Sequence, residues 1–412
     1  MSGGDQAPAP TLSGLGRGTS QSGGRLYNER LVLSLVRRHA SLPKAEIARL
    51  TGLSAQTASV IVTQLEADGL LLKLDPQRGR IGQPSVPFAL NPDGALAVGI
   101  KIGRRSTDFV LVDLVGQVRY RRRLTHAYPE PRKFLQFVRS ELKAQGGIVR
   151  GQTRRRVAGI GIATPFELWS WQAELGAPAH AMRAWETFDT AAEVAELISW
   201  PVHICNDGTA ACAAETLFGA NGPLRDYLYV FIGSFVGGGI VLDGAVVQGR
   251  TGNAGAIGSL PIARIDEKGH IAANQLIRCA SLYLLERRLK QLKRDPSDLW
   301  LKPDRWPNYG KPLDQWISTA AHGLAVLTAS ACAIVDFEAI VIDGAMPLDV
   351  RKRLVETVRD SLGRLDRRGL SPVEVLEGTI GHDARAIGGA ALPILANFAR
   401  DREVLFKGAG AA

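Results

Sequence analysis

The chain has 412 residues, 45% of them hydrophobic and 22% charged, which is enough apolar content for two or three domains with sizeable cores and excludes extensive disorder. No run of about 18 uncharged apolar residues occurs, and segment 1–24 lacks the apolar core of a signal peptide, so the expectation is a cytoplasmic protein without a membrane span. Fifty Lys and Arg against forty Asp and Glu give +10, a balance that suits an acidic polymer as partner without establishing one.

Residues 1–24 are mostly Gly, Ser, Thr, Ala and Pro with little apolar surface to bury, and read as a disordered arm. From 25 to 91 the pattern becomes that of a small domain of its own. Leu31, Val32, Leu35 and Val36 recur at helical spacing, and a segment opening at Pro43 carries Ile47 and Leu50. After Gly52, Ser54 can cap a third helix in which Ala58, Ile61, Val62 and Leu65 fall at i, i+3, i+4 and i+7. Segments 70–74 and 86–90 then read as strands flanking a basic Gly/Pro loop, so helix-turn-helix plus a two-stranded wing is the economical interpretation.

Beyond Asn91 the chain alternates strand-like and helical runs, which argues for an α/β body. Strands are predicted at 96–102, 108–114, 157–163, 202–205, 227–232, 238–242 and 339–342. Helices are predicted at about 131–144, 186–198, 208–218, 275–292 and 313–335. The arginine clusters at 119–123 and 154–156 read as solvated edges. Cys205, Cys212, Cys279 and Cys332 are widely spaced without a CxxC pair, so they suggest small buried hydrophobes, neither a disulfide framework nor a zinc site.

A helix that enters the major groove needs small or polar residues at its N-terminal end. Ser54, Gln56, Thr57 and Ser59 meet that demand. Gln56 and Ser59 share the face opposite the apolar stripe, and Gln can pair bidentately with adenine. Thr57 suits a phosphate contact or a cap on its own helix, and Arg78 and Arg80 in the wing loop suit a minor groove or phosphates. A winged domain that contacts protein instead of DNA is the alternative use of the same pattern.

The runs 31–40, 44–54 and 68–71, followed by 159–165, 206–211, 237–241, 254–258 and 383–391, together resemble ROK-family transcriptional regulators from residue 25 nearly to the end. That family groups repressors and sugar kinases. The resemblance implies a winged helix at 25–91 joined to a two-lobed, actin-like and ribonuclease-H-like body. Lobe 1 would be 92–205, completed by about 383–405, and lobe 2 would be 206–382, with a sugar cleft between them.

The departures from the family pattern carry as much information as the matches. In ROK kinases an Asp on the first strand and a small turn manage the metal and phosphates of ATP; here Lys101, Arg104 and Arg105 occupy that stretch, and a cation cannot hold Mg²⁺. The second phosphate loop has Phe235 where close backbone approach is required. Asn206 and Asp207 remain where the family hydrogen-bonds sugar hydroxyls, although either could simply cap the next helix. Ala256 and Ser259 replace the family's sugar-binding Glu and its His, and Asp266, Lys268 and Ala273 stand where three zinc-binding cysteines would be. His270 is a lone imidazole, and Gln275 stands in for another sugar-contacting Glu. His180, Arg183 and Trp185 lie in a segment that could approach the cleft.

These features lead to the expectation of a non-enzymatic, bacterial-type transcriptional regulator. It would repress a carbohydrate-related operon and sense a sugar or sugar derivative through Asn206, Asp207 and Gln275. The expected partners are an operator in double-stranded DNA and a second copy of the chain, as homodimer or homotetramer. No metal or cofactor is expected. The rivals are a sugar kinase with an appended DNA-binding domain and a winged-helix protein-interaction module.

Overall fold

The computed structural model describes residues 21–76, 85–145, 151–172, 177–222, 224–265 and 271–399. The chain divides into two compact units, one formed by the described residues up to Leu90 together with those from Phe398 on, the other comprising Asn91–Asn397. The fold is mixed α/β, with a winged helix in the first unit and two sheet-centred lobes in the second.

In the first unit, α1 (Gln21–His39), α2 (Lys44–Thr51) and α3 (Ala55–Ala67) surround a core of Val32, Val36, Ile47, Ala58, Val62 and Leu65. Gly52, at φ +70°, ends α2 in the left-handed conformation that suits glycine. Ser54 then caps α3, its side chain accepting from the Thr57 amide at 3.1 Å. Strands β1 (Ser41–Pro43), β2 (Leu71–Lys73) and β3 (Pro87–Leu90) form a sheet in the order β1-β3-β2. The wing therefore gains a third strand: Leu42 is buried and pairs with Phe88, a contact between residues too distant in sequence for local patterning to reveal. The first helix also begins at Gln21, inside the segment expected to be an arm; Gly23 is buried there, and packing on a glycine leaves no apolar signature.

The second unit holds two five-stranded sheets of identical strand logic. In lobe 1, β4 (Leu96–Ile102), β5 (Ser106–Asp113), β6 (Val118–Thr125), β7 (Val157–Thr164) and β8 (Val202–Asn206) take the order β6-β5-β4-β7-β8. The pairs β4·β5 and β5·β6 are antiparallel, while β4·β7 and β7·β8 are parallel. In lobe 2, β9 (Tyr227–Ile232), β10 (Val236–Leu242), β11 (Ala245–Val247), β14 (Ala339–Gly344) and β15 (Glu374–Glu377) repeat the scheme as β11-β10-β9-β14-β15. A hairpin of β12 (Pro261–Ile265) and β13 (Ile271–Gln275) is separate. Each lobe has its own core, with Val98, Ile100, Phe109 and Phe134 of α4 (Pro131–Gln145) in the first. The second gathers Leu228, Val230, Ile342 and Leu324.

Helix α5 (Asp207–Phe218) comes directly after β8, and its first nine residues are buried apart from Asp207. Four further helices of ten or more residues come later: α6 (Leu282–Gln291), α7 (Lys311–Cys332), α8 (Leu348–Gly363) and α9 (Ala384–Phe398). A Cβ on Gly161 would lie 1.8 Å from the Gly389 carbonyl, and one on Gly388 would lie 1.8 Å from the Ala210 carbonyl. Backbone thus meets backbone where α9 crosses β7 and α5, which accounts for the small residues of the 383–391 run.

Several sequence expectations change. The helix expected over 186–198 is limited to Thr190–Ala195, where Asp189 caps it by accepting from Ala192 at 3.0 Å. Gln275 does not open a helix but ends β13, paired with Pro261, and Ser281 separates the short helix Ile277–Ala280 from α6. The arginines at 119–123 lie on edge strand β6, yet they are not merely solvated: Arg119 pairs with Asp113, Arg123 with Asp108 and Arg121 with Asp383. Carboxylates supplied by other segments capture them, a property no local charge count contains.

Candidate nucleic-acid interface and inter-lobe cleft

The first unit presents a two-sided α3. Ala58, Ile61, Val62 and Leu65 are buried, whereas Ser54, Gln56 and Thr57 at its N-terminal end are exposed. Ser54 Oγ also lies 2.8 Å from Thr57 Oγ1, so Thr57 is tied to the cap while keeping an exposed face. Ser59 is half-buried, because Lys44 Nζ donates to its hydroxyl at 3.2 Å and to Thr63 Oγ1 at 2.9 Å. The Lys44 ammonium also sits 5.5 Å from the centre of the Phe88 ring. Lys44 was not among the candidates read from the sequence; a basic residue at the first position of the preceding helix was the available signal. Arg78 and Arg80 lie outside the described residues.

In the second unit, the end of β4 and the adjoining hairpin put Lys101, Arg104 and Arg105 at the mouth of the cleft between the lobes. Gly103 leaves room for the Lys101 side chain, which a Cβ there would meet at 2.4 Å. Lys101 is buried, donates to Ser106 Oγ at 3.0 Å and forms an ion pair with Asp108. Burial pulls the Lys101 pKa down, opposed by Asp108 and reinforced by Arg385 and Arg123. Burial alone would raise Asp108, but Lys101 and Arg123 hold it well below the ordinary carboxylate range.

Glu286 on α6 links the two lobes. Its carboxylate receives Arg104 at 3.0 Å, Arg105 at 2.9 Å and Lys290 at 2.8 Å. Burial pushes its pKa up, but these three cations bring it below the ordinary value. The Arg104 guanidinium also lies 6.0 Å from the Phe235 ring centre, and that ring packs edge-on against Tyr283 at 5.4 Å.

Asn206 and Asp207 are both engaged by protein. Asn206 Oδ1 accepts from the Gly208 amide at 2.8 Å, capping α5, and Asp207 Oδ2 accepts from Arg385 Nη1 at 2.9 Å. The Asn206 amide nitrogen and the second Asp207 oxygen are the atoms those bonds do not use. Arg385 sits within the 383–391 run but was not singled out from it; an arginine amid small residues was the signal. Gln275 is exposed at the end of its strand, and it is not brought to the Arg385 cluster by any contact among the described residues.

His180 and Arg183 are exposed, while Trp185 is a packing residue: its indole donates to the Pro129 carbonyl and its ring meets Phe134 and Phe188 edge-on. Ala256 and Ser259 are exposed. Asp266, Lys268 and His270 lie outside the described residues. Among the described residues, no group of three or more His, Cys, Asp or Glu side chains is arranged to hold a metal, and no helix is long and apolar enough to cross a membrane. Burial raises the thiol pKa values of Cys205, to about 12, and of Cys212, which suits unreactive packing residues.

A second cavity, of about 250 Å³, opens in lobe 1 beside Thr107, His126, Tyr128, Lys133 and Phe134. His126 Nε2 lies 3.3 Å from Thr107 Oγ1, and burial lowers the imidazole pKa to about 4.

Comparison with known proteins bears on both units. A ROK family model matches residues 97–395, and a MarR family model matches residues 24–81. An uncharacterized protein of Sinorhizobium fredii, y4fQ, is 27% identical over 90% of this chain and 91% of its own length. The xylose repressor of Caldicellulosiruptor bescii is 24% identical over 68% of this chain and 70% of its own. The crystal structure of a ROK family transcriptional regulator, a homologue of the Escherichia coli MLC protein, superposes with a TM-score of 0.62 at 19% identity. It covers 91% of this chain and 97% of that one.

Proposed function

The chain belongs to the ROK family, and we propose on that basis that it is a DNA-binding transcriptional repressor of a carbohydrate-related operon, acting in the cytoplasm. The observation that carries the reading is α3, whose N-terminal turn exposes Ser54, Gln56 and Thr57 while its opposite face is buried. Polar side chains on the leading turn of an otherwise packed helix are what base edges in a major groove require. Gln56 reads a base, while Thr57 and the tethered Lys44 contact phosphates; Ser59 holds Lys44 in place. Arg78 and Arg80 contact the backbone or the minor groove. The repressor name of the Caldicellulosiruptor relative supports both the DNA target and the link to carbohydrate.

In this reading the body senses and does not phosphorylate. A buried Lys101–Asp108 pair lies where the kinase resemblance would have a lone metal-binding carboxylate, and Arg385 occupies the Asp207 carboxylate that would act as base. A sugar or sugar derivative then engages the remaining atoms of Asn206 and Asp207, with Gln275 closing over it. Two copies of the chain, in a homodimer or homotetramer, carry two winged helices whose spacing depends on cleft closure. Only a ligand with different affinities for the open and closed bodies shifts DNA occupancy.

The test is an anisotropy titration of the full chain against sites recovered by genome-wide mapping of bound DNA. Tight binding to a particular sequence, steeply weakened by salt and altered by a sugar linked to the neighbouring genes, is expected. Sequence-independent binding alone would overturn the reading and favour a protein-interaction module.

A further inference from the structure

Where the two lobes meet, a cavity of about 60 Å³ is lined by Lys101, Arg104, Arg105, Arg123, Arg385 and Ser234 among others. A water needs roughly 10–15 Å³ of such space, so the cavity has room for a group the size of an oxyanion. Its charge is not balanced. With Arg121 and Lys290 included, seven cations share the four carboxylates of Asp108, Asp207, Glu286 and Asp383. A further carboxylate, the exposed Asp304, pairs with His382 and also acts on Arg123 electrostatically, which leaves cations in excess.

Donors also remain. Arg105 Nε and Arg385 Nε are buried with no hydrogen-bond partner among the described residues. Both guanidinium planes are held against aromatic rings, Arg105 at 5.2 Å from Trp300 and Arg385 at 4.8 Å from Phe231. A stacked guanidinium is a preorganised fork, suited to tetrahedral and planar oxyanions. Lys290 apart, the cations come from the β4–β5 hairpin, β6 and α9, whereas Ser234, Glu286 and Lys290 come from lobe 2.

We propose that this cavity is a metal-free oxyanion site, taking the phosphate or carboxylate group of a small metabolite between the lobes. The cations themselves supply the charge that a metal would supply in a phosphate site. Because Arg104 and Arg105 also hold Glu286, an anion bound there competes for the link between the lobes. The site adjoins the Asn206–Asp207 polyol edge, with which it shares Arg385, and it does not depend on the DNA-binding reading.

Isothermal titration of the full chain with inorganic phosphate in excess chelator, without DNA, tests it; parallel titrations with a hexose phosphate and with citrate distinguish phosphate from carboxylate. Saturable binding of either class is expected, weakened at least about tenfold by Arg385→Gln and by Arg105→Gln. Arg353→Gln, on the exposed face of α8, leaves it unchanged. Circular dichroism identifies a variant that fails to fold; should Arg385→Gln do so, Arg105→Gln, which leaves Arg104 and Lys290 on Glu286, decides. No binding at millimolar concentration, binding only with added Mg²⁺, or binding indifferent to the folded variants overturns the proposal. Failure here leaves operator binding untouched, so the two conclusions fail separately.

Discussion

The Arg385 guanidinium donates to Asp207 at 2.9 Å, across 178 positions of sequence. The aspartate that the kinase resemblance assigns as general base is thereby the acceptor of a charge-assisted hydrogen bond. Such a bond stabilises the ionised form and orients it toward α9.

Purified protein is accordingly expected to show no hexose-dependent ATP consumption above background in a coupled assay, because the resemblance sets Lys101, a cation that cannot ligate Mg²⁺, where the kinases have a carboxylate, and Phe235 in the second phosphate loop. Robust turnover on any common hexose would contradict the non-enzymatic reading.

At the DNA interface, Gln56→Ala and Lys44→Ala should differ in kind. Loss of a bidentate base contact costs about 1–3 kcal/mol and relaxes preference at one base pair. Loss of a phosphate contact weakens binding evenly across sequences and reduces the salt slope by about 0.9. Anisotropy titrations on the mapped site and on single-base variants separate the two, and a Lys44→Ala variant with an unchanged salt slope would refute its phosphate role.

Ser54→Ala removes the α3 cap and leaves the Thr57 amide without its acceptor. A destabilisation of about 1 kcal/mol is expected in denaturant unfolding of the winged unit. Ser54→Asp should retain most of the stability, and equal losses in both variants would mean that the cap contributes nothing.

His126 gives a pH dependence of definite sign. Its pKa falls from 6.5 to about 4 on folding, so between these values the unfolded chain takes up a proton that the folded chain refuses. Its contribution is therefore fully present above about pH 6.5 and is lost progressively as pH falls toward about 4. Calorimetric melting across this range should show a shallower decline for His126→Gln than for the parent, and parallel curves would refute the assignment.

Elemental analysis of chelator-washed protein should find no stoichiometric zinc, since the resemblance sets Ser259, Asp266, Lys268 and Ala273 where the imidazole and three thiolates of a closed zinc site would be. Tightly held zinc at one equivalent would contradict this.

Local pattern sufficed wherever a residue's partners lie within a few positions of it. The Ser54 cap, the Ala58–Ile61–Val62–Leu65 stripe, and the apolar runs of β4, broken by Lys101, and of β9 are of this kind. Periodicity reports burial directly, because a regular helix or strand turns spacing into a face. It was silent about β1 and β15, which are three and four residues long and owe their existence to a neighbour. It also extended the 186–198 helix too far and placed Gln275 in a helix, where hydrogen bonding to β12 prevailed.

The sequence by itself determined the order of the elements and the polar leading turn of α3, and its resemblance to the family set Lys101, Ala256 and Gln275 where carboxylates are expected. Only the tertiary structure decided which charges meet: Lys101 with Asp108, Arg104 and Arg105 with Glu286, and Arg385 with Asp207. The reason lies in the range of the forces. Backbone hydrogen bonding and apolar periodicity act between near neighbours along the chain, whereas an ion pair depends on distance and desolvation in space, which the packing of two lobes fixes.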